Sequence, residues 1–138
     1  MDEPLKPLAA DLSRASNPPL KALAAWAIMI LVLSMIPAPT YVPDKFIFLS
    51  FDTFAHAVFY MPLGALILWS FPRGPRITIW ARAVAGTLAF GFMIELIQAF
   101  VPSRFFGWTD ALADLTGGVI GATFALIFPR FYLFSFLQ

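Results

Sequence analysis

Four long apolar segments determine what this chain can fold into. They run from Leu20 to Ile36, Phe51 to Phe71, Ile77 to Val101 and Asp110 to Phe128. A helix needs about 20 residues, at about 1.5 Å of rise each, to cross the hydrocarbon core of a bilayer. Only 12% of the residues are charged, about half the share in soluble domains. The sequence therefore predicts an all-α integral membrane protein built as a four-helix bundle.

A proline follows each of the four segments, at positions 37, 72, 102 and 129. Proline lacks a backbone N–H and restricts the residue before it, so it favours the end of a helix. We expect three parts in the chain. Residues 1–19 form an N-terminal segment that can lie in the membrane interface, residues 20–130 a four-span membrane domain, and residues 131–138 a short tail.

The distribution of Lys and Arg predicts the orientation in the membrane. With four spans, one side holds seven of the nine basic residues: Lys6, Arg14, Lys21, Arg73, Arg76, Arg82 and Arg130. The other side holds only Lys45 and Arg104. Basic residues favour the cytoplasmic side. Both termini are therefore predicted to be cytoplasmic, and the turn between the third and fourth spans to face outward.

Ionisable and polar residues recur at helical spacing within or beside three of the spans. They are Asp52, His56 and Tyr60 in the second, Glu95 and Gln98 in the third, and Asp110 and Asp114 in the fourth, with Arg104 in the turn between the last two. Charged groups inside a bilayer cost free energy unless they are paired or hydrated. We expect these side chains to meet, away from lipid, in one site near the outer ends of the spans.

Each of these residues also has a purely structural interpretation. His56 can be a hydrogen-bonded core residue, and Asp110 can favour the first turn of its helix through the helix dipole. Arg104 can be an interfacial anchor or can bind a phosphate or carboxylate. Glu95 lies about 10 Å into its span and would need a cation such as Arg104 or His56. The glycines near Gly117 are typical of close helix packing.

The spacing of these residues resembles that of the VanZ-like membrane proteins. An Asp, a His and a Tyr follow each other at intervals of four, with Leu-Gly after them, as Asp52, His56, Tyr60, Leu63 and Gly64. A second motif, Glu-x-x-Gln-x-Phe-x-Pro-x-Arg, spans Glu95 to Arg104. A third consists of Asp110, a polar residue four positions on, and then Gly117 and Gly121. The resemblance covers residues 44 to 127.

This resemblance implies a small polytopic protein of the bacterial cell envelope, in the cytoplasmic (inner) membrane. Two positions depart from the family pattern. Thr53 stands where Lys is usual, and Asp114 where Asn is usual. Both changes make the predicted site more acidic than the family pattern. The name of the family, taken from an association with teicoplanin resistance, assigns no biochemical activity.

Three functional hypotheses follow. In the first, a site made of all eight polar residues above recognises or processes the head group of an envelope lipid or lipid-linked precursor. In the second, the protein is an enzyme in which Asp52, His56, Glu95, Asp110 and Asp114 bind a divalent cation or supply general acid and base, with His56, Glu95 and Asp110 as the catalytic candidates. In the third, the protein is a non-catalytic accessory subunit of a larger membrane complex. No cofactor is identified from the sequence, cysteine chemistry is excluded because the chain has no Cys, and no basic patch indicates nucleic acid.

Overall fold

The computed structural model describes residues 18–36, 51–101 and 107–128. Four helices form this part of the chain: α1 (Pro18–Ser34), α2 (Phe51–Ser70), α3 (Arg76–Gln98) and α4 (Trp108–Ile127). The described residues contain no strand. The predicted all-α fold is confirmed, and every described helix end lies within three residues of its predicted position. The sidedness of the termini stays a prediction.

Three of these helices are long and apolar enough to cross a bilayer, namely α2, α3 and α4. The first helix is also apolar but has only 17 residues, which corresponds to about 25 Å against a hydrocarbon core of about 30 Å. The long apolar helices confirm that the protein is a membrane protein.

Proline and glycine mark the helix boundaries. Pro18 is the first residue of α1, where the missing N–H removes no helical hydrogen bond. Pro75 is the N-cap of α3, and Gly107 is the N-cap of α4 in an extended conformation. Gly74 has φ of 115°, a left-handed conformation that strongly favours glycine, and it forms part of the tight connection from α2 to α3.

The helices alternate in direction, so the last residues of α1 and α3 lie at the same end of the bundle as the first residues of α2 and α4. We call this end the polar end of the bundle. Helix α2 occupies the centre and contacts each of the other three helices, and its interface with α4 is the most extensive. Tryptophan side chains link the helices: Trp26 Nε1 donates to Phe59 O at 2.9 Å, and Trp69 Nε1 donates to Ala125 O at 3.3 Å.

Glycines let the backbones of α2 and α4 approach each other closely. A Cβ atom built on Gly117 or Gly121 would lie less than 3.0 Å from the carbonyl oxygens of Ala57 or Met61, a separation that real Cβ atoms essentially never show. The packing hypothesis for these glycines is therefore confirmed. Close approach brings polar side chains at the starts of α2 and α4 within hydrogen-bonding distance.

The apolar core lies beneath the polar end in two clusters. The one nearer the polar end contains Ile30, Tyr60, Leu63 and Ile94, and all four are at most 4% exposed. The second packs Leu66, Trp69, Ile79, Ala122 and their neighbours toward the opposite end. Tyr60 belongs both to this core and to the polar stripe on α2, so the polar site rests directly on apolar packing.

Candidate functional site

Side chains from three helices meet at the polar end. His56 comes from α2, Glu95 from α3, and Asp110 and Asp114 from α4. His56, Glu95 and Asp114 are 8%, 1% and 0% exposed, and Asp110 is half-buried. We call these four residues, with Thr53, Tyr60 and Gln98, the polar cluster. The structure thus brings together the stripes that the sequence predicted to converge.

His56 is paired with Asp114. Its Nδ1 lies 2.8 Å from Asp114 Oδ1, and when Asp114 is ionised the Nδ1–H donates to this carboxylate. The ring of His56 also stacks on Tyr60, with a centroid separation of 5.9 Å and an interplanar angle of 12°. These contacts hold the imidazole in one orientation at the centre of the cluster.

Glu95 accepts a hydrogen bond from the backbone. The N–H of Gly107, at the start of α4, donates to Glu95 Oε2 at 3.0 Å. The other oxygen, Oε1, is buried and has no hydrogen-bond partner among the described residues. His56 is hydrogen-bonded to the carboxylate of Asp114, and the expected pairing of Glu95 with a cation such as Arg104 or His56 stays a prediction.

Asp110 is held by a hydroxyl group from α2. Thr53 Oγ1 donates to Asp110 Oδ1 at 2.5 Å. Asp110 also lies in the first turn of α4, where the helix dipole favours a carboxylate. This position agrees with the purely structural role considered from the sequence. The hydrogen bond from Thr53 shows in addition that Asp110 faces the cluster.

Two further contacts complete the cluster. Gln98 Nε2 donates to Ser34 O at 3.5 Å, which ties the ends of α3 and α1 together. Asp114 Oδ2 lies against Gly91 on α3, and it is buried without a hydrogen-bond partner among the described residues. Gly91 therefore provides the space that the Asp114 carboxylate occupies.

The described part of the cluster is acidic. It holds three carboxylates and one imidazole, whereas the Lys and Arg residues of the described chain, Lys21, Arg73, Arg76 and Arg82, lie toward the opposite end of the bundle. His56, Glu95 and Asp110 each offer one possible metal-ligand atom, and these three atoms lie within 4.8 Å of one another. Such a group could hold a metal ion. Such an arrangement favours ligands that bring positive charge or hydrogen-bond donors.

Two predicted site residues are not placed by the structure. Asp52 lies in the first turn of α2, but its side chain is outside the described residues. Arg104 is outside them entirely. Their contributions to the site stay predictions.

Sequence reasoning missed three residues that orient the carboxylates. Thr53 was noted only as a departure from the family pattern, although it lies three residues before His56 on the same helix face. Gly107 acts through its backbone N–H, which no side-chain pattern reveals. Gly91 was placed on the face of Glu95, but its contact with Asp114 depends on how α3 and α4 pack.

Comparison with known proteins identifies the family. The family model described as VanZ/LLP1 matches residues 15–129, most of the chain. The chain belongs to the VanZ/LLP1 family. No curated protein and no solved structure matches it.

The VanZ/LLP1 match is wider than the resemblance seen in the motifs, since it includes α1 as well as the three helices that carry the polar cluster. Every residue of the polar cluster lies within the matched range. In this VanZ/LLP1 protein, the cluster is therefore part of the family domain rather than of an added segment.

Proposed function

We propose that the polar cluster binds the head group of an envelope lipid or lipid-linked precursor. One observation carries this proposal: Glu95 Oε1 and Asp114 Oδ2 are buried acceptors without hydrogen-bond partners among the described residues. A buried carboxylate oxygen costs free energy unless it receives a hydrogen bond or a cation. A ligand that donates hydrogen bonds would remove this cost.

The chemistry of the acceptors narrows the class of head group. Ionised carboxylates only accept hydrogen bonds, so the ligand must offer hydroxyl, amide or ammonium donors. Sugar and amino head groups meet this requirement. Gln98 adds an amide to the same site. Arg104, which lies between α3 and α4 in the sequence, would bind a phosphate group of the lipid.

The location of the cluster supports a lipid rather than a water-soluble ligand. It lies at the ends of three helices that are long and apolar enough to span a bilayer, and head groups lie at that depth. With the predicted orientation, the leaflet would be the outer one of the bacterial cytoplasmic membrane. Processing of the head group would use the same cluster, with His56, Glu95 and Asp110 as the proton-transferring candidates.

The accessory-subunit hypothesis has no comparable observation in its favour. The large apolar side chains exposed on α3, such as Ile77, Phe92 and Leu96, face outward as contact with lipid requires. The same surface would suit a protein partner equally well. A stoichiometric partner that stays bound in mild detergent would favour this second hypothesis.

Native mass spectrometry of the full chain in mild detergent tests the proposal. The parent should retain a polar lipid at one copy per chain, and Glu95→Gln should lose it, because the amide presents donors of its own. Gly86→Ala serves as the control, since an added Cβ there makes only an ordinary contact of 3.5 Å with Ile67. Equal lipid retention by the parent and Glu95→Gln would refute the proposal.

A further inference from the structure

We propose that His56, Glu95 and Asp110 form a binding site for a divalent cation of the Mn²⁺ or Mg²⁺ type. One donor atom from each residue lies within 4.8 Å of the other two. The three residues come from three different helices, so the site exists only in the folded bundle. The inference does not depend on lipid binding, because the ligands belong to the protein alone.

Each proposed ligand takes part in a hydrogen bond that orients it. Asp114 accepts from Nδ1 of His56 at 2.8 Å, which selects the tautomer whose Nε2 carries the lone pair. Carboxylates commonly orient metal-binding imidazoles in this way. The hydrogen bond between His56 and Asp114 therefore matches the arrangement found around metal-binding imidazoles.

The two carboxylate ligands are oriented in the same manner. Gly107 N–H donates to Glu95 Oε2 at 3.0 Å, and Thr53 Oγ1 donates to Asp110 Oδ1 at 2.5 Å. In each case one oxygen is fixed by the protein and the second remains to coordinate an ion. Three separate partners thus orient the three proposed ligands. Metal-binding side chains in proteins are typically oriented by such hydrogen bonds.

The buried oxygen Oε1 of Glu95 is a second observation that indicates a bound cation. Glu95 is 1% exposed, and its Oε1 has no hydrogen-bond partner among the described residues. Two carboxylates held this close repel each other in a medium of low dielectric constant, unless a positive charge lies between them. A divalent cation would satisfy Oε1 and remove this repulsion.

The ligand set selects the class of ion. Two carboxylates and one imidazole suit a hard or borderline cation, whereas zinc sites more often use several His or Cys ligands. Ligands of one six-coordinate ion lie about 3 to 4.2 Å apart, so the three ligand atoms, now within 4.8 Å of one another, need only approach each other slightly to bind it. Three protein ligands leave positions open for water or for a phosphate oxygen.

Manganese itself is the probe. The full chain, stripped with a chelator and titrated with Mn²⁺, should bind one ion with a dissociation constant below about 1 mM, the weak end of specific divalent-cation sites. Electron spin echo spectra should show coupling of the Mn²⁺ electron to an imidazole nitrogen. His56→Gln should abolish this coupling even where some binding remains.

Variants separate coordination from nonspecific attraction. Glu95→Gln and Asp110→Asn should each weaken binding at least about tenfold, and Asp114→Asn, which changes only the partner of His56, about 10- to 100-fold. Glu3→Gln is the matched control, because Glu3 is the other glutamate of the chain, and it should bind like the parent. The spectra of the parent do not depend on how well any variant folds.

Three results would overturn the proposal. The first is a parent that binds no Mn²⁺ below about 1 mM. The second is binding without nitrogen coupling, which would indicate surface carboxylates. The third is binding that appears only in Arg104→Ala, since the guanidinium would then be the resident cation of the cluster.

Discussion

Replacing Gly91 with alanine should disrupt the polar cluster through one added methyl group. A Cβ on Gly91 would lie 3.0 Å from Cγ and 3.1 Å from Cβ of Asp114, and closer still to Oδ2. Asp114 is fully buried, so its carboxylate cannot move out into solvent. We expect it to move by about 1 Å, which would stretch its contact with His56 beyond hydrogen-bonding range.

The size of the effect follows from three contributions. Overpacking costs about 1 to 3 kcal/mol, and loss of a hydrogen bond to a charged group costs about 1.5 to 3 kcal/mol. The higher helix propensity of alanine offsets about 1 kcal/mol of this loss in the free energy of unfolding. Gly91→Ala should therefore lower the free energy of unfolding by about 3 kcal/mol.

Gly86 offers a matched control on the same helix. A Cβ there would lie 3.5 Å from Ile67 Cδ1, an ordinary van der Waals contact. Gly86→Ala should therefore leave stability unchanged or raise it by up to about 1 kcal/mol. Reversible unfolding of both variants in one mixed-micelle system measures the difference. If Gly91→Ala proved as stable as Gly86→Ala, the packing of Asp114 described above would be wrong.

Three further predictions concern packing, hydrogen bonding and topology. Gly121→Ala should destabilise the bundle by about 1 to 3 kcal/mol in the same unfolding assay, because its Cβ would press on a backbone carbonyl of α2; wild-type stability would contradict this. Thr53→Val should cost about 1.5 to 3 kcal/mol by removing a hydrogen-bond donor to Asp110, while Thr53→Ser should restore most of it; equal losses would exclude the hydrogen bond as the cause. Cysteines placed singly at Ser103 and Ser135 should react oppositely with an impermeant reagent in intact cells, the first labelled and the second protected, and the reverse result would place the termini outside.

Much of the fold could be predicted because the lengths of the apolar segments and the positions of the prolines can be read directly from the local sequence. Pro72 follows α2 by two residues, and Pro102 lies beyond α3. The helix ends still differ from the predicted ones, most of all at α3, which ends at Gln98 rather than Val101. Hydropathy continues through apolar residues after the last helical hydrogen bond, so it places such an end too late.

The convergence of the site could also be predicted, but its pairing could not. Residues spaced by three or four share a helix face, and the cost of a charge in lipid turns those faces inward. Which acid meets which partner depends on the axial shift between helices. The close α2–α4 backbone contact places His56 beside Asp114. The donor to Glu95 is a backbone N–H of Gly107, so it depends on the path of a turn rather than on any side chain.

The central claim, that the polar cluster binds a ligand rather than only stabilising the bundle, is tested most directly by Asp114→Asn. The amide keeps the size of the carboxylate, can still accept the hydrogen bond from His56 Nδ1–H, and is the residue that the family pattern usually has there. Thermal unfolding and lipid retention would be measured on the same detergent preparations of parent and variant.

If the cluster is a ligand site, Asp114→Asn should unfold within about 1 kcal/mol of the parent or be more stable, because it removes a buried carboxylate near two others while keeping an acceptor for His56. Its lipid retention should fall at the same time. A variant that unfolds early yet retains lipid like the parent would contradict the account and show that these polar residues are structural.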